Sequence, residues 1–222
     1  MCSPIYVGVR IVDVDEESLA RLGQWPWPRT RMAEIVERAR AGGAAVLGFD
    51  AVFAEFDRLE RLMSVWKEGS DILRLNATAG DHPVAVSPET MEVLATAHQV
   101  SEWTHGKFDV TFGALSGLWK FDAQNEDDRI PDPAEVQARL PLINYQALAL
   151  NATTGTAYLE RKGMSAHLGG IGKGFAVDRV AAILHRAGFN NFLIQFGGDM
   201  LASGLKEGRD RKSTRLNSSH IT

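Results

Sequence analysis

The sequence predicts an α+β fold, a mixed sheet with helices packed on it. Strand-like and helix-like stretches interleave along the 222 residues without strict β-α-β alternation. Two short β-prone runs flank the turn Ala152-Thr-Thr-Gly155. Ala176, Val180, Leu184 and Ala187 recur on one helical face. A hydrophobic content of 45% with 23% charged residues supplies a buried core and excludes general disorder.

The elements follow in order. Residues 6–14 alternate and are rich in Val and Ile, so they read as a strand. A short helix from Asp15 to near Gly23 comes next, and Trp25-Pro-Trp-Pro28 must be extended because proline restrains its predecessor. Residues 29–41 read as a helix stopped by Gly42-Gly43, and 44–49 as a short apolar strand. Residues 56–63 are helical. Ser87 caps a helix with Pro88 at its first position, running to about Trp103. Asp132-Pro-Ala-Glu135 is a capping box opening a helix to Leu140. Strands are predicted at 147–151, 156–159 and 165–168. The 176–187 helix is closed by Gly188. A strand at 191–196, a turn at Gly197-Gly198-Asp199 and a strand at 200–203 complete the pattern, and from Lys206 the polar composition predicts a disordered tail.

The formal net charge of −4, with scattered rather than clustered Lys and Arg, argues against nucleic acid as a partner. The lone Cys2 excludes an internal disulfide and a cysteine-based zinc site. No apolar stretch approaches the length of a membrane span, and Met1-Cys-Ser-Pro has no signal-peptide character. Membrane association would therefore need an anchor not found in this sequence. His82, His98, His105, His185 and His220 do not cluster and read as surface or capping groups.

Two runs carry the chemistry. Gly106-Lys-Phe-Asp-Val-Thr-Phe-Gly-Ala-Leu-Ser-Gly-Leu-Trp119 and His167-Leu-Gly-Gly-Ile-Gly-Lys-Gly-Phe-Ala-Val-Asp178 both set glycines beside polar side chains. Glycine lets the backbone approach a ligand closely. The N–H groups of a glycine-rich helix start, with Lys173 beside them, suit a phosphate. The chain therefore reads as a binder of a phosphorylated small molecule.

Residues 51–204 resemble the ApbE family, the FAD:protein FMN transferases. The resemblance is carried in order by Phe56-Asp-Arg-Leu-Glu-Arg-Leu-Met-Ser-Val-Trp66, by Ser70 through Asn76, by the two glycine runs and by Gly197-Gly198-Asp199. It implies transfer of the FMN half of FAD to a Thr or Ser hydroxyl of a target flavoprotein, with release of AMP and support from Mg²⁺. It also implies target subunits of respiratory electron-transport complexes and a periplasmic or envelope-facing location. Trp66 then meets the isoalloxazine ring, the alternative being a half-buried core tryptophan. Lys107, Phe108 and Asp109 contact FAD, Lys107 through its backbone, and Thr111 is either a turn residue or a ligand. Lys173 meets the nucleotide, the alternative being a solvated lysine, and Gly170 offers its carbonyl to the metal. His167 stands where the family usually has an aspartate that contacts FAD; a neutral histidine can hydrogen-bond there without supplying a charge. No catalytic side chain is assigned. A non-catalytic flavin-binding domain, or a sensor-module fragment, is the alternative.

Residues 1–50 resemble the start of a CHASE-type periplasmic sensor domain, through Trp25-Pro-Trp-Pro-Arg29 and Gly48-Phe-Asp50. The expected organisation is a sensor-like fragment at 1–50, a flavin-transferase core at 51–205 and a tail at 206–222 whose end looks like translated sequencing-adapter read-through. The core is expected to be incomplete at both ends, lacking the family's metal carboxylate, so this chain itself is expected to be inactive.

Overall fold

A computed structural model describes residues 49–119, 130–190, 192–196, 199–206 and 209–210. The elements predicted before residue 49, the turn glycines Gly197 and Gly198, and the tail beyond 210 lie outside the described residues. The described residues form two compact units, one of 55–176 and the other of those up to Ala54 and from Val177 onward.

Helix α1 spans Phe49–Met63. It begins seven residues before the predicted start at 56, and Phe49 is helical rather than the end of a strand. The cause is legible in hindsight: apolar side chains at 49, 52, 53, 56, 59, 62 and 63 keep one helical period throughout. Arg58 ties this helix to the next long one, pairing with Glu55 at 2.8 Å and with Glu89 at 2.8 Å. Helix α2 is short, Asp71–Ala77, and Ser70 caps it by accepting from the Leu73 N–H. Strand β1 is Val84–Ala85, which the sequence reading missed. Helix α3, Pro88–Trp103, is capped by Ser87 with Pro88 in the first turn, as predicted. Its buried residues Thr90, Val93, Leu94, Ala97 and Ser101 form the stripe that faces the core.

Helix α4, Pro133–Arg139, opens on the Asp132 cap. Strands β2, Leu148–Asn151, and β3, Thr156–Leu159, form the expected hairpin, with Leu148 opposite Leu159 and Asn151 opposite Thr156. β1 adds to the other edge of β3, giving an antiparallel sheet in the order β1-β3-β2. The core beneath it includes Ile72, Leu75, Leu94, Leu159 and Met164, and Ile72, Leu75, Leu94 and Leu159 have no solvent exposure. The predicted strand at 165–168 does not form. Only Ser165 makes a bridge, parallel to Phe112, because the backbone of Ala166 is taken up by a side chain instead.

Helix α5 runs Gly172–Arg186, and Gly188 follows it at φ +86°. In the second unit, strands β4, Phe192–Phe196, and β5, Asp199–Ser203, pair antiparallel. Asp199, predicted as a turn residue, opens β5 opposite Phe196. Ser203 Oγ donates to the Asn190 carbonyl at 3.1 Å, and the His185 ring lies 4.9 Å from Phe192. Next in the chain, β6, Leu205–Lys206, pairs antiparallel with β7, Arg209–Asp210. Among the described residues no helix is long and apolar enough to cross a membrane.

Candidate functional site

The first glycine run begins where α3 stops. Gly106, at φ +77°, donates its N–H to the Ser101 carbonyl at 2.8 Å and turns the chain out of the helix. Thr104 Oγ1 then accepts from the Phe108 N–H at 3.0 Å. Asp109 knots the loop that follows. Its Oδ1 accepts from the Thr111 N–H at 2.8 Å and from the Thr111 hydroxyl at 2.7 Å. Its Oδ2 accepts from the Tyr145 N–H at 2.8 Å, while Thr111 Oγ1 accepts from the Asn144 N–H at 2.8 Å. Thr111 is fully buried, so of its two readings the structure gives the turn residue. Both carboxylate oxygens of Asp109 already serve this chain's own donors.

The second run lies along the first. The His167 N–H donates to the Val110 carbonyl at 2.8 Å, and Ser165 bridges Phe112. Gly113 permits this approach: a Cβ there would stand 2.5 Å from the Ser165 carbonyl oxygen. Gly170 sits under the Phe108 ring, where a Cβ would come within 3.2 Å of it. The structure thus brings together Phe108, the Asp109 loop, His167 and Gly170.

His167 uses its ring as an Asx-like acceptor: Nδ1 accepts the Gly169 N–H at 3.0 Å. That bond requires an unprotonated Nδ1, so the neutral ring carries its proton on Nε2. Burial pushes the imidazole below the usual histidine range, which favours the same neutral form. The ring is further steadied by Phe112, 5.3 Å away. A histidine can therefore fill the local backbone-capping role open to a carboxylate, without its charge.

Helix α5 begins immediately after. Gly169, Gly170 and Lys173 are exposed, and neither the Lys173 nor the Gly174 N–H meets an acceptor among the described residues. These are the orphan donors of a helix start, carrying partial positive charge beside a lysine. Lys107 is also exposed, and its N–H returns to the Thr104 carbonyl at 3.2 Å.

Trp66 is 86% exposed, which removes the half-buried core reading. Its N–H donates to Ser64 Oγ at 3.1 Å, and Ser70 Oγ donates to the Ser64 carbonyl at 2.6 Å. It has no ring contact with the glycine runs among the described residues. The sequence reading gave no role to Asn76. Its Nδ2 donates to the Ala166 carbonyl at 3.0 Å, and its Oδ1 accepts the Ala166 N–H at 2.7 Å. The pairing spans 90 residues, so no spacing rule could have found it. For a metal, Gly170 offers only a backbone carbonyl, and no group of three or more His, Cys, Asp or Glu side chains is poised for an ion among the described residues. A Mg²⁺ ion demands near-octahedral oxygen ligands, with one or two carboxylates as a rule. Within the two runs the Gly170 carbonyl is the oxygen assigned to such an ion, while both oxygens of Asp109 are taken by Thr111 and Tyr145.

The model of the ApbE family matches residues 30–217, a span wider at both ends than the motifs. The chain belongs to the ApbE family. It is 33% identical over 153 residues to an FAD:protein FMN transferase of Klebsiella pneumoniae (strain 342), covering 69% of this chain and 48% of the relative. An FAD:protein FMN transferase of Vibrio cholerae is 31% identical over 155 residues, covering 68% and 46%. Among solved structures, the flavin transferase ApbE from Vibrio cholerae superposes with a TM-score of 0.63 at 30% identity, over 71% of this chain and 52% of that one. The ApbE protein from Thermotoga maritima does so with a TM-score of 0.66 at 28% identity, over 72% and 52%. The predicted α+β class agrees with these ApbE neighbours. This ApbE-family chain spans about half the length of the curated relatives it matches.

Proposed function

We propose that this ApbE-family chain serves the transfer of FMN from FAD to a hydroxyl of a target flavoprotein. The observation that carries the reading is the meeting of the two glycine runs beside the start of α5, where the Lys173 and Gly174 N–H groups meet no acceptor among the described residues. Those donors and the Lys173 ammonium suit the FAD pyrophosphate. Exposed Trp66 offers a face to the isoalloxazine ring. His167 Nε2–H is a neutral donor toward FAD, while Lys107, Phe108 and Asp109 contribute loop backbone and the Phe108 ring. In the reaction, the target hydroxyl oxygen bonds to the FMN phosphorus and the pyrophosphate P–O bond breaks. AMP leaves with the electron pair, and the hydroxyl proton is released. Positioning and charge neutralisation dominate such transfers. Mg²⁺ would supply further neutralisation, with the Gly170 carbonyl as one ligand. Flavin-bearing subunits of electron-transport complexes are the proposed targets, and a periplasmic or envelope-facing location the proposed setting.

The test is incubation of the purified chain with FAD, Mg²⁺ and a threonine-bearing target flavoprotein. Release of AMP with covalent flavin fluorescence on the target supports transfer. Quenching of FAD fluorescence without AMP would instead establish a non-catalytic flavin binder. Absence of both overturns the flavin reading. Within that titration, Trp66→Ala should weaken FAD binding about tenfold and remove most of the quenching, because ring stacking is lost. Unchanged quenching would place the ring elsewhere.

A further inference from the structure

We propose that helix α2 is a strut joining the two ends of the flavin site, and that Asn76 is its positioning residue. The inference rests on the flavin reading above and adds a residue to it. At one end of α2, the Ser70 hydroxyl donates to the Ser64 carbonyl while Ser64 Oγ holds the Trp66 N–H. At the other end, Asn76 pairs with both backbone polar groups of Ala166, directly before His167. Between them, Ile72 and Leu75 have no solvent exposure and fix the helix in the core. A helix of this length is about 10 Å long and does not stretch.

The Asn76 amide stands in for a neighbouring strand. It satisfies the N–H and the C=O of Ala166 together, which no other residue type of that length can do. It thereby sets the height of the His167–Lys173 segment against the Val110 carbonyl. Asn76 touches no reacting atom; it acts through the placement of His167 and the α5 start relative to Trp66.

Two measurements on the full chain test this. The first is amide hydrogen exchange without ligand. The Ala166 N–H should be strongly protected, and Asn76→Ala should speed its exchange at least tenfold while leaving the β2–β3 hairpin amides unchanged. The second is FAD affinity by fluorescence quenching, below the melting range of each variant. Asn76→Ala should weaken FAD binding about tenfold or more. Asn76→Asp, which keeps the acceptor for the Ala166 N–H and loses the donor, should fall between. Val93→Ala, a core truncation in α3, serves as the stability control and should leave the affinity of the folded fraction unchanged. If Asn76→Ala does not fold, the aspartate variant and the wild-type exchange rates still decide. Wild-type binding that is insensitive to both Asn76 changes, or an unprotected Ala166 amide, overturns the strut. Failure of the wild type to bind FAD overturns the flavin reading instead, and Ala166 protection is then read on its own.

Discussion

Asp71→Asn should lower the unfolding free energy at pH 7 by about 3 kcal/mol, measured by urea denaturation. Asp71 is only 4% exposed, yet its carboxylate is a meeting point. Oδ2 accepts from the Ser87 N–H at 2.8 Å, the Ser87 hydroxyl at 2.6 Å and the Thr90 hydroxyl at 2.7 Å. Oδ1 takes the Arg74 guanidinium. An asparagine amide has one acceptor and one donor end, so either orientation sets N–H against N–H or O–H. Burial alone would raise the Asp71 pKa, but the bonds from Ser87 and Thr90, with Arg74, outweigh it and the net shift is downward. A carboxyl depressed in the folded state stabilises fully above the unfolded value of about 3.9 and loses that contribution as pH falls through the folded value. The gap between wild type and Asp71→Asn should therefore narrow as pH drops below about 4. A gap that persists undiminished into strong acid would mean that the carboxylate charge is not what the site uses.

Gly113→Ala should weaken FAD binding about tenfold or more and cost roughly 1–3 kcal/mol of stability. The added Cβ would stand 2.5 Å from the Ser165 carbonyl oxygen and 2.9 Å from its carbon, so backbone must give way. What gives is the line along which the two glycine runs meet, including the Phe112–Ser165 bridge. Gly155→Ala is the matched control. Gly155 sits in the hairpin turn at φ +66° with open space around it, so that variant carries a backbone penalty without touching the site. Fluorescence titration and thermal melts of the two variants separate the effects. Equal FAD affinity in both would show that the contact between the runs is not needed for binding.

What could be read from sequence was local chemistry. Ser87-Pro88 announces a helix start because cap and proline act within one turn, and Asp132 does the same for α4. The β2–β3 hairpin was legible from its turn, and both glycine runs were legible because glycine marks close backbone approach. What stayed hidden depends on partners far along the chain. Val84–Ala85 is a strand only because β3 offers it an edge. The 165–168 segment has the apolar look of a strand, yet its pairing goes to Asn76 and to the Val110 carbonyl. The carboxylate of Asp109 is likewise tied to the Tyr145 N–H, 36 residues on, a partner its own position does not reveal.

That commitment has a consequence for energetics. The loop from Gly106 to Gly113 is ordered by its own side chains, through Asp109, Thr111 and the backbone of Asn144 and Tyr145. The conformational entropy lost in shaping it is charged to folding rather than to association. A guest arriving there meets a surface already set, so its contacts count toward affinity nearly in full.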